Sequence, residues 1–261
     1  MPIGNLRQVV VVANQIFILI HYSNHSEMHS NRYTFIYATI LSAITAIALA
    51  FSAEGLKPFQ DANIALDTKT NILRSVREYS TDRATIEKIY ADRIQEMVLD
   101  AQGTVLPNVK TASINLKDEV AKPAAARQLP LYAYTHSDGK KYYIVPMRGV
   151  GLWGPIWGYI AIADDFNTVY GATFDHKGET PGLGAEIAEL SFQKQFEGKK
   201  IMDGDRFISV NVVKPSAKTD FGTDHRVDGV SGGTITSTGT DRMLKNCIEP
   251  YLSYFKKLKP Q

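Results

Sequence analysis

Residues 228–237 read Asp-Gly-Val-Ser-Gly-Gly-Thr-Ile-Thr-Ser, a turn of small residues that closes on hydroxyls and opens into a helical pattern. Gly232 and Gly233 free the backbone to curl. Successive amide N–H groups and the N-terminus of the following helix then face one point and hold an anion such as a phosphate. The chemistry this favours is phosphate binding, with the Thr234 hydroxyl beside the anion and open to esterification. The same turn matches Gly-x-Ser-x-Gly at Gly229 to Gly233, the nucleophile elbow of serine hydrolases. That fold places its histidine after the serine, whereas the last histidine here, His225, precedes Ser231. The elbow therefore lacks its base.

A second segment, residues 176–184, reads His-Lys-Gly-Glu-Thr-Pro-Gly-Leu-Gly. Pro181 and Gly182 dictate a tight turn. Glu179 and Thr180 offer hydrogen-bonding groups, and Leu183 offers an apolar face for a ring. Taken alone, such a segment is an ordinary surface turn before a helix. Trp153 and Trp157 occupy alternate positions, so an extended chain turns both rings to one side. Burial in a core or interface is the favoured reading of that pair, with Trp153 retained as a candidate ligand contact.

The two segments together, Asp228-x-x-Ser231-Gly232-x-Thr234 and His176-x-x-Glu179-Thr180-Pro181-Gly182-Leu183-Gly184, resemble the covalent FMN-binding domain found in the C subunits of the Na+-translocating NADH:quinone reductases. The resemblance implies that a flavin transferase joins FMN to Thr234 through a phosphoester, with Asp228 and Ser231 shaping the turn. Gly232, Gly233 and Thr236 would supply backbone amides to the phosphate. Glu179, Thr180, Gly182, Leu183 and Gly184 would bracket the isoalloxazine, with Trp153 as a further contact. No catalytic acid or base and no metal ligand is implied. The flavin would relay electrons from an iron–sulfur centre in neighbouring membrane subunits to a second covalent flavin on the way to ubiquinone, in a complex that oxidises NADH and expels sodium. A Gly-x-Gly-x-x-Gly after a strand is absent, so NADH binding falls to another subunit. The pattern departs from the family at Gly233, where alanine is usual; the missing methyl is expected to loosen the turn. Two alternatives stand beside this reading. One is the flavin subunit of the related ion-translocating ferredoxin:NAD oxidoreductase, which shares both motifs. The other is a membrane-anchored module that binds a free phosphate ligand without covalent flavin.

The elements that must carry these turns are legible in outline. The chain has 261 residues, with 29 Lys plus Arg interspersed among 27 Asp plus Glu. That pattern gives no clustered basic face for nucleic acid. Tyr33 to Ala53 are twenty-one residues without a charge, enough to span about 30 Å of hydrocarbon as a helix. The run exceeds the h-region of a cleaved signal and is read as an uncleaved anchor. Residues 1–32 are read as an extension, with Met28 the expected natural start. Residues 54–102 are read as a membrane-proximal helical region and 103–261 as the FMN-binding domain. Charges flanking the span orient it weakly, and the family resemblance places the soluble domain on the periplasmic side of a bacterial inner membrane. The single Cys247 forms no internal disulfide and falls in an apolar helical pattern.

Asp61 to Tyr79 and Asp82 to Leu99 are expected to be helices, the second from the spacing of Ile86, Ile89, Tyr90, Ile94, Met97 and Val98. Strand-like runs follow at Tyr142 to Pro146, Ile156 to Ala163, Val169 to Phe174 and Phe207 to Val213. Their close succession argues for antiparallel pairing. A last helix is expected to begin near Thr238 and to kink at Pro250. The fold class is therefore α+β: one N-terminal transmembrane helix, then a soluble domain with a mainly antiparallel sheet and packed helices.

Overall fold

The computed structural model describes residues 30–217, 220 and 222–259; the expected start at Met28 and the extension before it lie outside the described residues. The chain divides into two units at Gln60/Asp61.

In the first unit the described residues are Ser30 and the first part of helix α1, which spans Asn31–Ser75. Its charge-free stretch is exposed throughout, including Phe35, Ile44 and Phe51. A hydroxyl in hydrocarbon must find its partner within its own helix. Thr39, Thr45 and Ser52 each donate to the carbonyl four residues back, on Phe35, Leu41 and Ala48, at 2.7–2.8 Å. The helix is long and apolar enough to cross a membrane.

The second unit is a sheet with helices on both faces. Helix α2 (Arg83–Arg93) starts at Asp82, whose carboxylate accepts from the Thr85 amide at 2.9 Å. The chain then turns directly into β1 (Ile94–Leu99). Helix α3 (Leu116–Ala121) precedes β2 (Leu129–Thr135), β3 (Lys141–Val150), β4 (Pro155–Ala163) and β5 (Val169–His176). These five strands form one antiparallel sheet in sequential order.

The period of two sorts side chains to opposite faces. Tyr142 and Ile144 of β3 meet Ile72 and Leu73 from the end of α1 and Ile86 of α2. Tyr143, Val145 and Met147 face the other way, toward the C-terminal helices. After the short α4 (Leu190–Gln193) come a hairpin of β6 (Met202–Asp203) with β7 (Arg206–Phe207), and β8 (Asn211–Val213) paired in parallel with β9 (Arg226–Asp228). Helices α5 (Thr234–Ile248) and α6 (Leu252–Leu258) complete the unit. Met243, Leu244, Cys247 and Ile248 seat α5 in the core. At about 1.5–3 kcal/mol for each large apolar side chain buried, that contact fixes where the helix begins.

Four expectations change. The helix expected over Asp82 to Leu99 ends at Arg93, and the next six residues are the edge strand β1, with Ile94 opposite Tyr134 and Leu99 opposite Leu129. Pairing across the sheet overrides a helical spacing that those residues also satisfy. The helix expected from Asp61 to Tyr79 is the last part of α1 and stops at Ser75. The run expected over Phe207 to Val213 is broken by Ser209, buried with φ +64°. Helix α5 begins four residues before Thr238, which makes Thr234 its first residue. Pro250 does interrupt the helix, within a 3-10 turn at Glu249–Tyr251.

Candidate functional site

Strands β8 and β9 deliver the small-residue turn to the start of α5. The Gly229 amide donates to the Val213 carbonyl at 2.7 Å. The Asp228 peptide is held from both sides by Gln195, whose Oε1 accepts from the Asp228 amide at 2.8 Å and whose Nε2 donates to the Asp228 carbonyl at 3.3 Å. Ser237, in the first turn of the helix, reaches back so that its Oγ accepts from the Val230 amide at 3.0 Å. Gly232 adopts φ +75°, and a Cβ there would stand 2.5 Å from Leu183 Cδ2. The position therefore demands glycine for conformation and for space.

Gly233 caps the helix without a side-chain oxygen, and the first helical hydrogen bond runs from the Ser237 amide to the Gly233 carbonyl at 2.8 Å. The amides of Thr234, Ile235 and Thr236 consequently have no acceptor among the described residues. Three unspent N–H groups at the positive end of a helix dipole form an anion site. Thr234 is exposed at the shared lip of three concavities, of about 350, 540 and 220 Å³. Asp228 and Ser231 are likewise exposed. The 540 Å³ cleft also contains Arg148 and Arg242, two cations that neither motif singles out. No ion pair engages either among the described residues.

The second motif forms the expected tight turn. The Leu183 amide donates to the Thr180 carbonyl at 3.1 Å, with Pro181 and Gly182 between them and Gly182 at φ +75°. The Gly182 amide is fixed by Glu186 Oε1 at 3.0 Å. Thr180, Leu183 and Gly184 line the 220 Å³ cleft together with Gly232, Gly233 and Thr234. The two motifs, distant in sequence, thus make opposite walls of one cleft.

Glu179 also lines this cleft, with its carboxylate drawn into the protein. It is 5% exposed. Its Oε1 accepts from the Trp153 amide at 2.8 Å, and its Oε2 accepts from Thr236 Oγ1 at 2.7 Å. Its own amide donates to His176 Nδ1 at 3.1 Å. Both carboxylate oxygens and the Thr236 hydroxyl are therefore spent on each other and on the backbone. Thr236 contributes an amide to the anion site and a hydroxyl to this brace.

Trp153 is outside the core, which leaves the interface half of the burial reading. It is 69% exposed, because it lies in the turn between β3 and β4, closed by the Gly151 amide on the Gly154 carbonyl at 2.8 Å. The alternation that would pair it with Trp157 holds only within β4. Leu152, Leu183 and Ile235 are also exposed around the 220 Å³ cleft, giving its mouth an apolar rim.

At Gly233 a Cβ would lie 3.1 Å from Val230 Cβ and 3.3 Å from the Gly184 amide nitrogen. The glycine sits against Val230 and the second motif, so an added methyl would require those neighbours to give by a few tenths of an ångström. No hydrogen bond joins Ser231 to a histidine among the described residues; His176 Nδ1 accepts from the Glu179 amide, and His225 Nδ1 contacts the Lys200 carbonyl at 2.9 Å. Gln195 and Ser237 hold the turn by side chains to which neither motif assigns a role. Ser237 carried a local signal, as a hydroxyl in a helix first turn; Gln195 carried none.

Comparison with known proteins places these residues in a family. The model of the FMN-binding domain matches residues 151–249. The C subunit of the Na(+)-translocating NADH-quinone reductase from Haemophilus ducreyi is 34% identical over 238 residues, covering 83% of this chain and 91% of the relative. The same subunit from Neisseria meningitidis serogroup B is 31% identical, covering 87% and 93%. A crystal structure of the corresponding subunit from Parabacteroides distasonis superposes with a TM-score of 0.69 at 39% identity, covering 79% of this chain and 98% of that one. The Shewanella oneidensis protein, at 24% identity and a TM-score of 0.63, shares the fold.

Proposed function

The chain belongs to the family formed by the C subunits of the Na+-translocating NADH-quinone reductases, and on that premise we propose that the phosphate of FMN is esterified to the Thr234 hydroxyl oxygen. The chain is an FMN-carrying, electron-relaying subunit of that complex. The observation that carries the attachment site is the exposed hydroxyl of Thr234 on the first residue of α5, beside three amides with no acceptor among the described residues. Those residues fit a phosphodiester. The amides of Thr234, Ile235 and Thr236 would hold its charged oxygens, and Gly232 would let the backbone approach without a side chain between.

FMN, when bound, supplies one-electron transfer, which lies beyond the chemistry of protein side chains. The chain's part is to fix and surround it. Leu152, Leu183 and Ile235 would offer apolar surface to the ring, Thr180 and Gly184 would line the wall beside it, and Gly182 and the exposed Trp153 lie next in the chain to Leu183 and Leu152. Asp228 and Ser231 keep the turn solvated and open to the modifying enzyme. Glu179 acts from behind, through Thr236.

The N-terminal helix anchors the chain in the membrane, and its partners are the other subunits of the complex. We assign the soluble unit to the periplasmic side of a bacterial inner membrane. There a covalent bond keeps the cofactor from being lost, and a flavin transferase is the partner that installs it. The flavin subunit of a ferredoxin:NAD oxidoreductase would use the same site; matches that cover more than 90% of two quinone-reductase relatives favour the present reading. In-gel flavin fluorescence tests the attachment. Protein made in a host with the transferase should fluoresce after denaturation, and Thr234→Val should not; fluorescence in that variant would overturn the site.

A further inference from the structure

We propose, building on the reading that Thr234 carries the flavin phosphate, that Glu179 is the resident anion of this site: its buried charge makes the start of α5 a poor host for free FMN and confines the cofactor to its attached form. Glu179 lines the same 220 Å³ cleft as Thr234. No lysine, arginine or histidine pairs with it among the described residues. What balances its charge is the Trp153 amide, the Thr236 hydroxyl and the end of the helix. A helix N-terminus supplies roughly half an elementary charge, so the carboxylate more than cancels it.

The carboxylate is held in place. A Cβ at Gly151 would lie 2.5 Å from Glu179 Oε1, and one at Gly184 would lie 2.4 Å from Oε2. Two glycines therefore form a slot that a carboxylate fills. Any anion arriving at the amides of Thr234 to Thr236 meets this fixed negative charge in a cleft partly closed to water, where like charges repel more strongly than in bulk solvent. Free FMN brings a phosphomonoester of about −1.5 to −2 charge at neutral pH. The ester with Thr234 has one ionised oxygen, hence about half that charge. Glu179 thus weighs more heavily against the free cofactor than against the attached one. Its action on the phosphate is electrostatic, and its action on the helix runs through Thr236, so it is a positioning residue that also selects by charge.

The test uses the full-length Thr234→Val chain, which cannot be esterified at that position. FMN and riboflavin, which share a ring and differ in the phosphate, are titrated against it by flavin fluorescence. Replacing Glu179→Gln should tighten FMN binding on the order of tenfold and leave riboflavin unchanged. Unchanged FMN affinity, or an equal gain for both flavins, would overturn the proposal. Glu179→Met removes the charge without an amide and carries the same expectation should the glutamine variant not fold. Thr236→Val, which keeps the charge and removes the hydroxyl, should give no FMN-selective gain; such a gain would assign the effect to loosened packing and contradict the proposal. Covalent flavin persisting in Thr234→Val is a separate result, which refutes the attachment site and leaves the comparison of FMN with riboflavin to be read independently.

Discussion

Thr236 Oγ1 donates a 2.7 Å hydrogen bond to Glu179 Oε2, joining the first turn of α5 to a residue 57 positions earlier. Both side chains are buried. Thr236→Val preserves shape and leaves a buried carboxylate oxygen with one partner fewer. An unsatisfied group of this kind costs about 1–3 kcal/mol. Chemical denaturation of the full chain should show stability reduced by that amount, and an unchanged midpoint would mean the bond contributes no net stability.

The two adjacent glycines of the turn should behave differently. Gly232→Ala forces a side chain into φ +75° and against Leu183, which costs about 1–2 kcal/mol for the backbone alone. The fraction of chain carrying covalent flavin should fall with it. Gly233→Ala has an allowed φ of −98° and meets only close contacts. It should shift stability by less than about 1 kcal/mol and keep its flavin, as intact mass would record.

Cys247 gives a pH test of the core contact beneath the site. Burial pushes its thiol above the ordinary range, so the folded chain favours the neutral form. Its contribution to stability is complete below the pKa of an unfolded thiol, and declines as the pH rises past that value toward the higher folded one. Native chain should therefore resist thiol alkylation at mildly alkaline pH, react fully once denatured, and lose stability more steeply above pH ~8.5 than a Cys247→Ala variant does.

The anchor depends on the stretch from Tyr33 to Ala53 remaining free of charge. A lysine in place of Ile44, near its middle, is disfavoured by about 2.5–3.5 kcal/mol. Alkaline carbonate should leave the unaltered chain in the membrane pellet and release a larger fraction of Ile44→Lys.

How much of this was legible in the sequence depends on how local each determinant is. The Thr180 to Leu183 turn, the left-handed Gly232, the charge-free span and the break at Pro250 are each dictated by residues within a few positions, and each could be read. The middle of β3 and most of β4 were also readable, as short β-type runs bounded by turn residues. Strand β1 was not, because Ile94, Met97 and Val98 fit a helix until Tyr134 and Leu131 arrive across the sheet. Glu179 illustrates the same limit at the site. Its residue type announced hydrogen bonding, and its motif gave its neighbourhood. Only the fold shows that its partners are Thr236 and the Trp153 amide. The Gln195 clamp on Asp228 lies 33 residues from its target and had no local signature.

The central claim concerns one atom, the hydroxyl oxygen of Thr234, and peptide mapping by mass spectrometry addresses it most directly. In protein produced with the flavin transferase, the peptide containing residues 228–237 should carry the mass of FMN less water, with fragment ions placing it on Thr234. Placement on Ser231, Thr236 or Ser237, or an unmodified peptide from protein that fluoresces on a denaturing gel, would contradict the account.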